Sequence, residues 1–218
     1  MSGCIAITFA FQGQIKWALA WIVIGAAFDF FDGMSARLLK VSSPIGKELD
    51  SLADVVTFGV APSTMLFYTL KVVEYPAVLE GAREILPYAA FVMAAFSALR
   101  LAKFNLDERQ AMGFIGMPTP ANALFWGSVT VGYTGLLASS DFMPFFLIAL
   151  MLFTSWLLIS EMPMFALKFK HWGIKDRMNI IKYAFVAFCA VALCIAQVAA
   201  IAVIIIMYII ISLAVCRK

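Results

Sequence analysis

The stretch FDFFDGMSARLLKVSSPIGKELDSLAD, residues 28–54, decides the fold, because it sets acidic residues between two long apolar runs. Its aspartates are Asp29, Asp32, Asp50 and Asp54. A carboxylate is costly to place in hydrocarbon, and an acid inside a membrane segment indicates function by default. Four of them in one short stretch therefore predict a site at which two membrane helices meet.

The composition indicates a membrane protein. Of 218 residues, 64% are hydrophobic and 13% are charged, and the mean hydropathy is +0.96. A soluble domain is about 45–50% apolar and about 25% charged. We therefore predict an all-α polytopic membrane protein. The net charge of +3 is too small to indicate a nucleic-acid partner.

The apolar runs predict about eight transmembrane helices in a single transmembrane domain over residues 1–218. The predicted spans are 3–11, 17–39, 49–73, 85–104, 120–138, 143–160, 180–196 and 198–215. The first run has too few residues for a span, which needs about 20, so we expect it to be the second half of a truncated helix. The last pair, 180–215, is separated by a weak polar break, and one long tilted helix is the alternative.

Lysine and arginine near the span ends predict the orientation. One set of ends carries Arg37, Lys40, Lys47, Arg100, Lys103, Arg109, Lys168, Lys170, Lys175, Arg177, Lys182, Arg217 and Lys218, and the other carries Lys16, Lys71 and Arg83. Cytoplasmic loops hold the excess of these residues. The aspartates are therefore predicted at the cytoplasmic ends of the second and third spans.

Helix geometry places the first two aspartates on one face. If residues 17–39 are helical, 100° per residue puts Asp29, Asp32, Gly33 and Ala36 within an arc of roughly 100°. Two carboxylates thus share a face with two residues that have almost no side chain. A flat or bulky group can approach the backbone there.

The second pair follows the same pattern on the next helix. Ser43 is a suitable N-cap and Pro44 a suitable first helical residue. Gly46, Asp50 and Asp54 then follow at intervals of four, again on one face. The eight-residue connection lets the two helices pack side by side, so we expect the two acidic faces to meet.

Four carboxylates in a small volume repel one another unless cations are present. Oxygen-only ligands suit Mg²⁺, Mn²⁺ or Ca²⁺, and such ions neutralise phosphate oxygens during phosphoryl transfer. Interfacial charges at helix ends are the simpler alternative. A cation transporter is a second alternative, but transporters typically show broken helices near the midplane and internal repeats, and no repeat is evident here.

From Asp29 to Asp54 the residues follow D-x2-D-G-x2-A-R-x8-G-x3-D-x3-D. This resembles the signature of the CDP-alcohol phosphotransferase family at every fixed position. The resemblance implies a membrane enzyme that attacks a CDP-linked lipid with an alcohol and releases CMP. It also implies a divalent cation, Mg²⁺ or Mn²⁺, with one or two ions bound.

The resemblance also implies a role for each residue of the signature. The metal ligands would be Asp29, Asp32 and Asp50, with Asp54 near the metals as well and acting as general base toward the acceptor hydroxyl. The implied nucleotide-binding residues are Asp29, Asp32, Gly33, Ala36, Arg37 and Gly46.

The acceptor is indicated by a second segment, ALRLAKFNLDERQAMGFIGMPTPANA, residues 98–123. It resembles the serine-accepting subfamily, the CDP-diacylglycerol–serine O-phosphatidyltransferases, which typically shows L-A-R-F-N and then G-L-P-x-P. Lys103 and Met117 replace the usual arginine and leucine, and a lysine cannot form a bidentate contact with a carboxylate. The resemblance implies CDP-diacylglycerol and L-serine as substrates. Glycerol-3-phosphate and inositol remain alternative acceptors.

A serine pocket needs cations for the carboxylate and phosphates and a polar group for discrimination. Arg100, Lys103 and Asn105 are the candidates, although the first two could also be ordinary residues of a cytoplasmic helix end. The basic loop 168–182 is expected to contact anionic membrane lipids. By resemblance we also expect a homodimer in the cytoplasmic membrane of a prokaryote.

Overall fold

The computed structural model describes residues 1–40, 43–106, 114–137, 140–164 and 177–216, and these are mostly helical. Residues 107–113 of the second segment and residues 168–176 of the basic loop lie outside the described residues. The longer helices are α1 Ser2–Phe11, α2 Ile15–Leu39, α3 Pro44–Val72, α4 Leu86–Leu106, α5 Thr119–Gly132, α6 Met143–Ile159 and α7 Arg177–Cys216. Shorter pieces are a 3₁₀ segment, Ala77–Ala82, a helical turn, Thr134–Leu137, and two antiparallel strands, β1 Phe114–Ile115 and β2 Pro163–Met164.

Four helical stretches are long and apolar enough to cross a membrane. They are α2, α3, α4 and the Asn179–Ala214 part of α7, while α1 and α6 are shorter apolar helices. Large apolar side chains such as Phe28, Leu49 and Trp156 are exposed on their surfaces, as lipid-facing side chains are. The chain is an integral membrane protein, and the predicted all-α membrane fold is confirmed.

The last helix turns back on itself at Gln197. That residue has φ 48° and ψ −122°, which are not helical values. The rings of Phe185 and Tyr208 lie 6.1 Å apart, although a straight helix would separate these residues by about 34 Å. Residues 177–196 and 198–216 therefore form a hairpin of two helices.

The turn of this hairpin is held by α5. The hydroxyl of Ser128 donates to the carbonyl of Val198 at 2.7 Å and accepts from the Ala202 N–H at 3.0 Å. It thereby lies between the Val198 carbonyl and the Ala202 N–H, two backbone groups four residues apart at the start of the second helix. Gly132 packs directly against Ala199.

The first two helices form a tight hairpin that packs on α3. Gly13 occupies the turn with φ +75°, a conformation that favours glycine. Further along, Gly3 on α1 and Gly25 on α2 both lie against Thr57 of α3, with no room for a Cβ at either position. Small residues at this crossing let three helix backbones come together immediately below the aspartates.

Helix α3 widens directly after Asp54. Residues Val55–Val60 form a π-helical segment, in which the Ala61 N–H donates to the Val56 carbonyl. Pro62 follows, and a proline inside a helix lacks an N–H and clashes with the carbonyl four residues earlier. The wider turn relieves that clash. Such π-segments occur frequently at functional sites.

Candidate active site

Three of the four aspartates converge between α2 and α3. Asp29, Asp32 and Asp50 each place one carboxylate oxygen so that all three oxygens lie within 4.8 Å of one another. The carboxyl groups of Asp29 and Asp50 approach within hydrogen-bonding range. Asp29 is half-buried, whereas Asp32 and Asp50 are exposed. The two acidic faces meet, as expected from the sequence.

The connection between the helices explains this convergence. Helix α2 ends at Lys40, which takes the left-handed conformation with φ 53°. Helix α3 begins with Ser43 as its N-cap, which accepts from the Gly46 N–H at 3.5 Å, and with Pro44 as its first residue. The predicted cap is confirmed. The end of α2 at Lys40 and the capped start of α3 at Ser43 determine how the two helices pack against each other.

Asp54 lies beside the three-carboxylate cluster and is not part of it. One turn beyond Asp50 and half-buried, it interacts electrostatically with Asp29, Asp32, Asp50 and the guanidinium of Arg100. A carboxylate in this position is separate from the cluster yet close to it. It can therefore accept a proton from a group that lies at the cluster.

The donor set of the cluster suits a hard divalent cation. Three carboxylates offer only oxygen ligands, and two of the three are open to a ligand that arrives from solvent. Mg²⁺ keeps several waters and binds through a few carboxylates and substrate phosphates, so an exposed site of this kind fits it. Mn²⁺ also accepts oxygen ligands. The residues present therefore fit the metal that the resemblance implies.

The predicted nucleotide-binding residues line an open surface next to the cluster. A Cβ on Gly33 would come no closer than 4.0 Å to the Arg37 guanidinium, and a Cβ on Gly46 would meet only Ser43, at 3.6 Å. Ala36, Arg37 and Gly46 are exposed. The protein itself has room for larger side chains here. The small residues leave a free surface that a ligand can occupy.

The three acceptor candidates on α4 have different surroundings. Arg100 is only 7% exposed, interacts with Asp54 and lies 5.2 Å from the ring centroid of Phe104. Lys103 is exposed. Asn105 donates from its amide to Ser51 Oγ at 2.9 Å. The structure thus brings Arg100 to the aspartates and ties Asn105 to α3.

Two further polar residues near the start of α5 were not among the site residues predicted from the sequence. Thr119 and Asn122 on α5 are both 0% exposed, and the Thr119 hydroxyl and both amide atoms of Asn122 have no hydrogen-bond partner among the described residues. The Nε of Arg100 is likewise unpartnered. The available signal was the run TPAN, which sets two polar side chains one turn apart at the start of an apolar helix.

Comparisons with known proteins identify the family of this chain. The family model described as CDP-alcohol phosphatidyltransferase matches residues 1–167. A Bacillus subtilis protein named CDP-diacylglycerol–serine O-phosphatidyltransferase is 44% identical over 118 residues, covering 54% of this chain and 62% of the relative. A Mycobacterium tuberculosis protein of the same name is 34% identical over 225 residues, covering 95% of this chain and 71% of the relative.

An archaeal relative carries the same name. It comes from Methanocaldococcus jannaschii and is 36% identical over 118 residues, covering 54% of this chain and 50% of the relative. The chain therefore spans between half and about seven tenths of the length of these three relatives.

Proposed function

Because this chain belongs to the CDP-alcohol phosphatidyltransferase family, we propose that it transfers the phosphatidyl group of CDP-diacylglycerol to the hydroxyl of L-serine. The products are phosphatidylserine and CMP. The observation that carries the proposal is the convergence of Asp29, Asp32 and Asp50 beside the separate carboxylate of Asp54. The names of the relatives support serine as the acceptor.

In this proposal Asp29, Asp32 and Asp50 would hold the divalent cation, one or two ions of Mg²⁺ or Mn²⁺, and Asp54 would lie near it. When bound, the cation neutralises charge on the phosphate oxygens. The nucleotide lies on the surface formed by Gly33, Ala36, Arg37 and Gly46, next to Asp29 and Asp32. Arg37 orients the nucleotide there.

The chemical step uses Asp54 as general base. Its carboxylate takes the proton of the serine hydroxyl while the hydroxyl oxygen forms a bond to the phosphorus that bears diacylglycerol. The bond between that phosphorus and the bridging oxygen breaks, and CMP leaves with the electron pair. A hydroxyl is a weak nucleophile at neutral pH, so a positioned base contributes about 10²–10⁴-fold.

In this proposal Arg100 binds the acceptor. Its guanidinium is nearly buried and interacts with Asp54, so an anionic group of the acceptor can bind it close to the base. Lys103 supplies a second, exposed cation at the same helix end, and the carbonyl oxygen of the Asn105 side chain supplies an acceptor.

We further propose that the aspartates face the cytoplasm, in the cytoplasmic membrane of a prokaryote. Support comes from the excess of lysine and arginine at the aspartate-bearing ends. There soluble serine and a membrane-held CDP-lipid can meet. A homodimer and a single catalytic domain over 1–218 are part of the same proposal.

An acceptor screen tests the proposed function. Purified protein is given CDP-diacylglycerol, Mn²⁺ or Mg²⁺, and either serine, glycerol-3-phosphate or inositol, and CMP release is measured. We expect release with serine that EDTA abolishes. Release with glycerol-3-phosphate or inositol but none with serine would refute the serine assignment and leave the family reaction intact.

A further inference from the structure

The starting observation is a set of buried polar atoms without partners. Among the described residues these atoms are Arg100 Nε, Thr119 Oγ1 and both amide atoms of Asn122. A buried donor or acceptor without a partner costs about 1–3 kcal/mol, so such groups are rare and each needs an explanation. Three residues of this kind suggest that a polar ligand completes them.

Helix packing places Thr119 and Asn122 just below the aspartates. Helix α5 runs antiparallel to α2, with Gly127 packed on the side chain of Leu19. At 1.5 Å per residue, Asp29 lies about 15 Å from Leu19 along α2, toward the end of the helix that carries the aspartates. In the same direction along α5, Thr119 lies about 12 Å from Gly127, and Asn122 lies about 8 Å from Gly127. Along the helix axes, Thr119 therefore lies about 3 Å farther from the aspartate end than Asp29 does, and Asn122 lies about one turn farther still.

The same reasoning puts Thr119 level with Asp54. Thr57 lies against Gly25, and Asp54 precedes Thr57 by three residues, about 5 Å nearer the aspartate end. Gly25 is itself about 9 Å from Leu19. Both Asp54 and Thr119 thus lie about 12–14 Å above Leu19. Helix α5 also contacts the π-segment that follows Asp54.

The chemistry of the unpartnered atoms is that of an α-amino acid site. Arg100 Nε and the Asn122 NH₂ are donors that suit a carboxylate, the Asn122 carbonyl oxygen is an acceptor that suits an ammonium group, and the Thr119 hydroxyl can serve either. A polyol offers neither a carboxylate for the two donors nor an ammonium group for the Asn122 oxygen. Glycerol-3-phosphate carries an anion but has no ammonium group for the Asn122 oxygen.

We infer that Thr119 and Asn122, together with Arg100, bind the ammonium and carboxylate groups of the acceptor and so select a zwitterionic amino acid. The inference rests on the proposed function and adds two residues to it. The acceptor hydroxyl then lies at Asp54, with its charged groups extending about one helical turn below it. Because Thr119 and Asn122 have no exposed surface, covering side chains must move as the acceptor enters.

The test compares Thr119→Val and Asn122→Leu with Thr130→Val. Both site variants are near-isosteric and remove only unpartnered polar atoms. Thr130 is a matched control on the same helix, 3% exposed, with its hydroxyl bonded to the Trp126 carbonyl at 2.9 Å. KM for serine, KM for CDP-diacylglycerol and Tm without serine are measured for each.

We expect the KM for serine to rise at least tenfold in each site variant, while the KM for CDP-diacylglycerol stays within twofold. The Tm should be unchanged or higher, because an unpartnered buried polar group has been removed. In Asn122→Leu the preference for serine over 3-hydroxypropionate, which lacks the ammonium group, should fall at least tenfold. Thr130→Val should leave both KM values and this preference unchanged.

An unchanged KM for serine in both site variants would overturn the inference. So would a lower Tm accompanied by equal rises in both KM values, since that result shows a structural role. Loss of folding in either variant likewise shows that the residue has a structural partner and overturns its assignment. The proposed function itself is tested separately, by CMP release from the wild-type protein with serine. No release would refute the proposed function.

Discussion

The side-chain amide of Asn105 donates a hydrogen bond to Ser51 Oγ at 2.9 Å, joining the end of α4 to the turn of α3 that carries Asp50. The backbone carbonyl of Asn105 also accepts from Lys47 Nζ at 3.1 Å. These bonds hold the helix that bears Arg100 against the helix that bears Asp54. The relative position of the proposed acceptor-binding group and the proposed general base depends on this contact.

Replacing either partner of that hydrogen bond should have the same effect. Asn105→Ala and Ser51→Ala should each lower the free energy of unfolding by about 1 kcal/mol, because each removes the hydrogen bond between α4 and α3. Ser51→Ala also removes the bond from Ser51 Oγ to the Lys47 carbonyl, which lies within α3. The double variant should lose little more than either single one, since residues in contact are not additive. Thermal unfolding in detergent measures all three. Fully additive losses would show that the two side chains are energetically independent.

Asp54→Asn should remove the general base. We expect kcat for CMP release to fall about 10²–10⁴-fold, while binding of CDP-diacylglycerol and of Mn²⁺ changes little, because Asp54 lies outside the three-carboxylate cluster. Glu74→Gln is the control, as it replaces an exposed acid beyond the far end of α3. If Asp54→Asn retains activity while Glu74→Gln behaves like wild type, Asp54 is not the base.

The three-carboxylate cluster should destabilise the protein until a cation binds. Asp50→Asn removes one of three like charges and should raise Tm in EDTA. Added Mn²⁺ should raise Tm in wild type, because a ligand that binds only the folded state stabilises it, and should raise it less in Asp50→Asn. Asp141→Asn, an exposed acid outside the cluster, should resemble wild type in both conditions. A Mn²⁺ response of the same size in Asp50→Asn would contradict the assignment of Asp50 as a ligand.

The crossing of α1, α2 and α3 should not tolerate an added methyl group. A Cβ on Gly25 would lie 2.6 Å from Thr57 Cγ2 and 2.7 Å from Ser2 Oγ. Gly25→Ala should therefore cost about 1–3 kcal/mol of unfolding free energy, the usual range for overpacking. Gly135→Ala is the matched control, because nothing lies within 4 Å of a Cβ there. Similar unfolding temperatures for the two variants would contradict the close packing.

The sequence predicts the acidic site well because local rules determine it. Helix periodicity places Asp29 and Asp32 on one face of α2. The helix start at Ser43–Pro44 determines the face of α3 on which Asp50 and Asp54 lie. The resemblance then assigns a chemistry to the cluster. Each of these steps depends on residues that are close in the chain.

The remaining features depend on contacts between distant segments. The π-segment at Val55–Val60 compensates for Pro62, and periodicity cannot show where a helix widens. The hairpin turn at Gln197 relies on Ser128, which is far away in the sequence. The unpartnered state of Thr119 and Asn122 is likewise a property of packing. A polar residue in an apolar run reveals its environment only when the neighbouring helices are in place.

The central claim is that the serine hydroxyl oxygen becomes bonded to the phosphorus of the phosphatidyl group as CMP is released, and an isotope measurement tests it most directly. The protein is given serine carrying ¹⁸O at its hydroxyl, CDP-diacylglycerol and Mn²⁺, and the ¹⁸O content of both products is measured by mass spectrometry. The account predicts that the phosphatidylserine retains the ¹⁸O and that the CMP contains none. Label in CMP, or phosphatidylserine without it, would contradict the account.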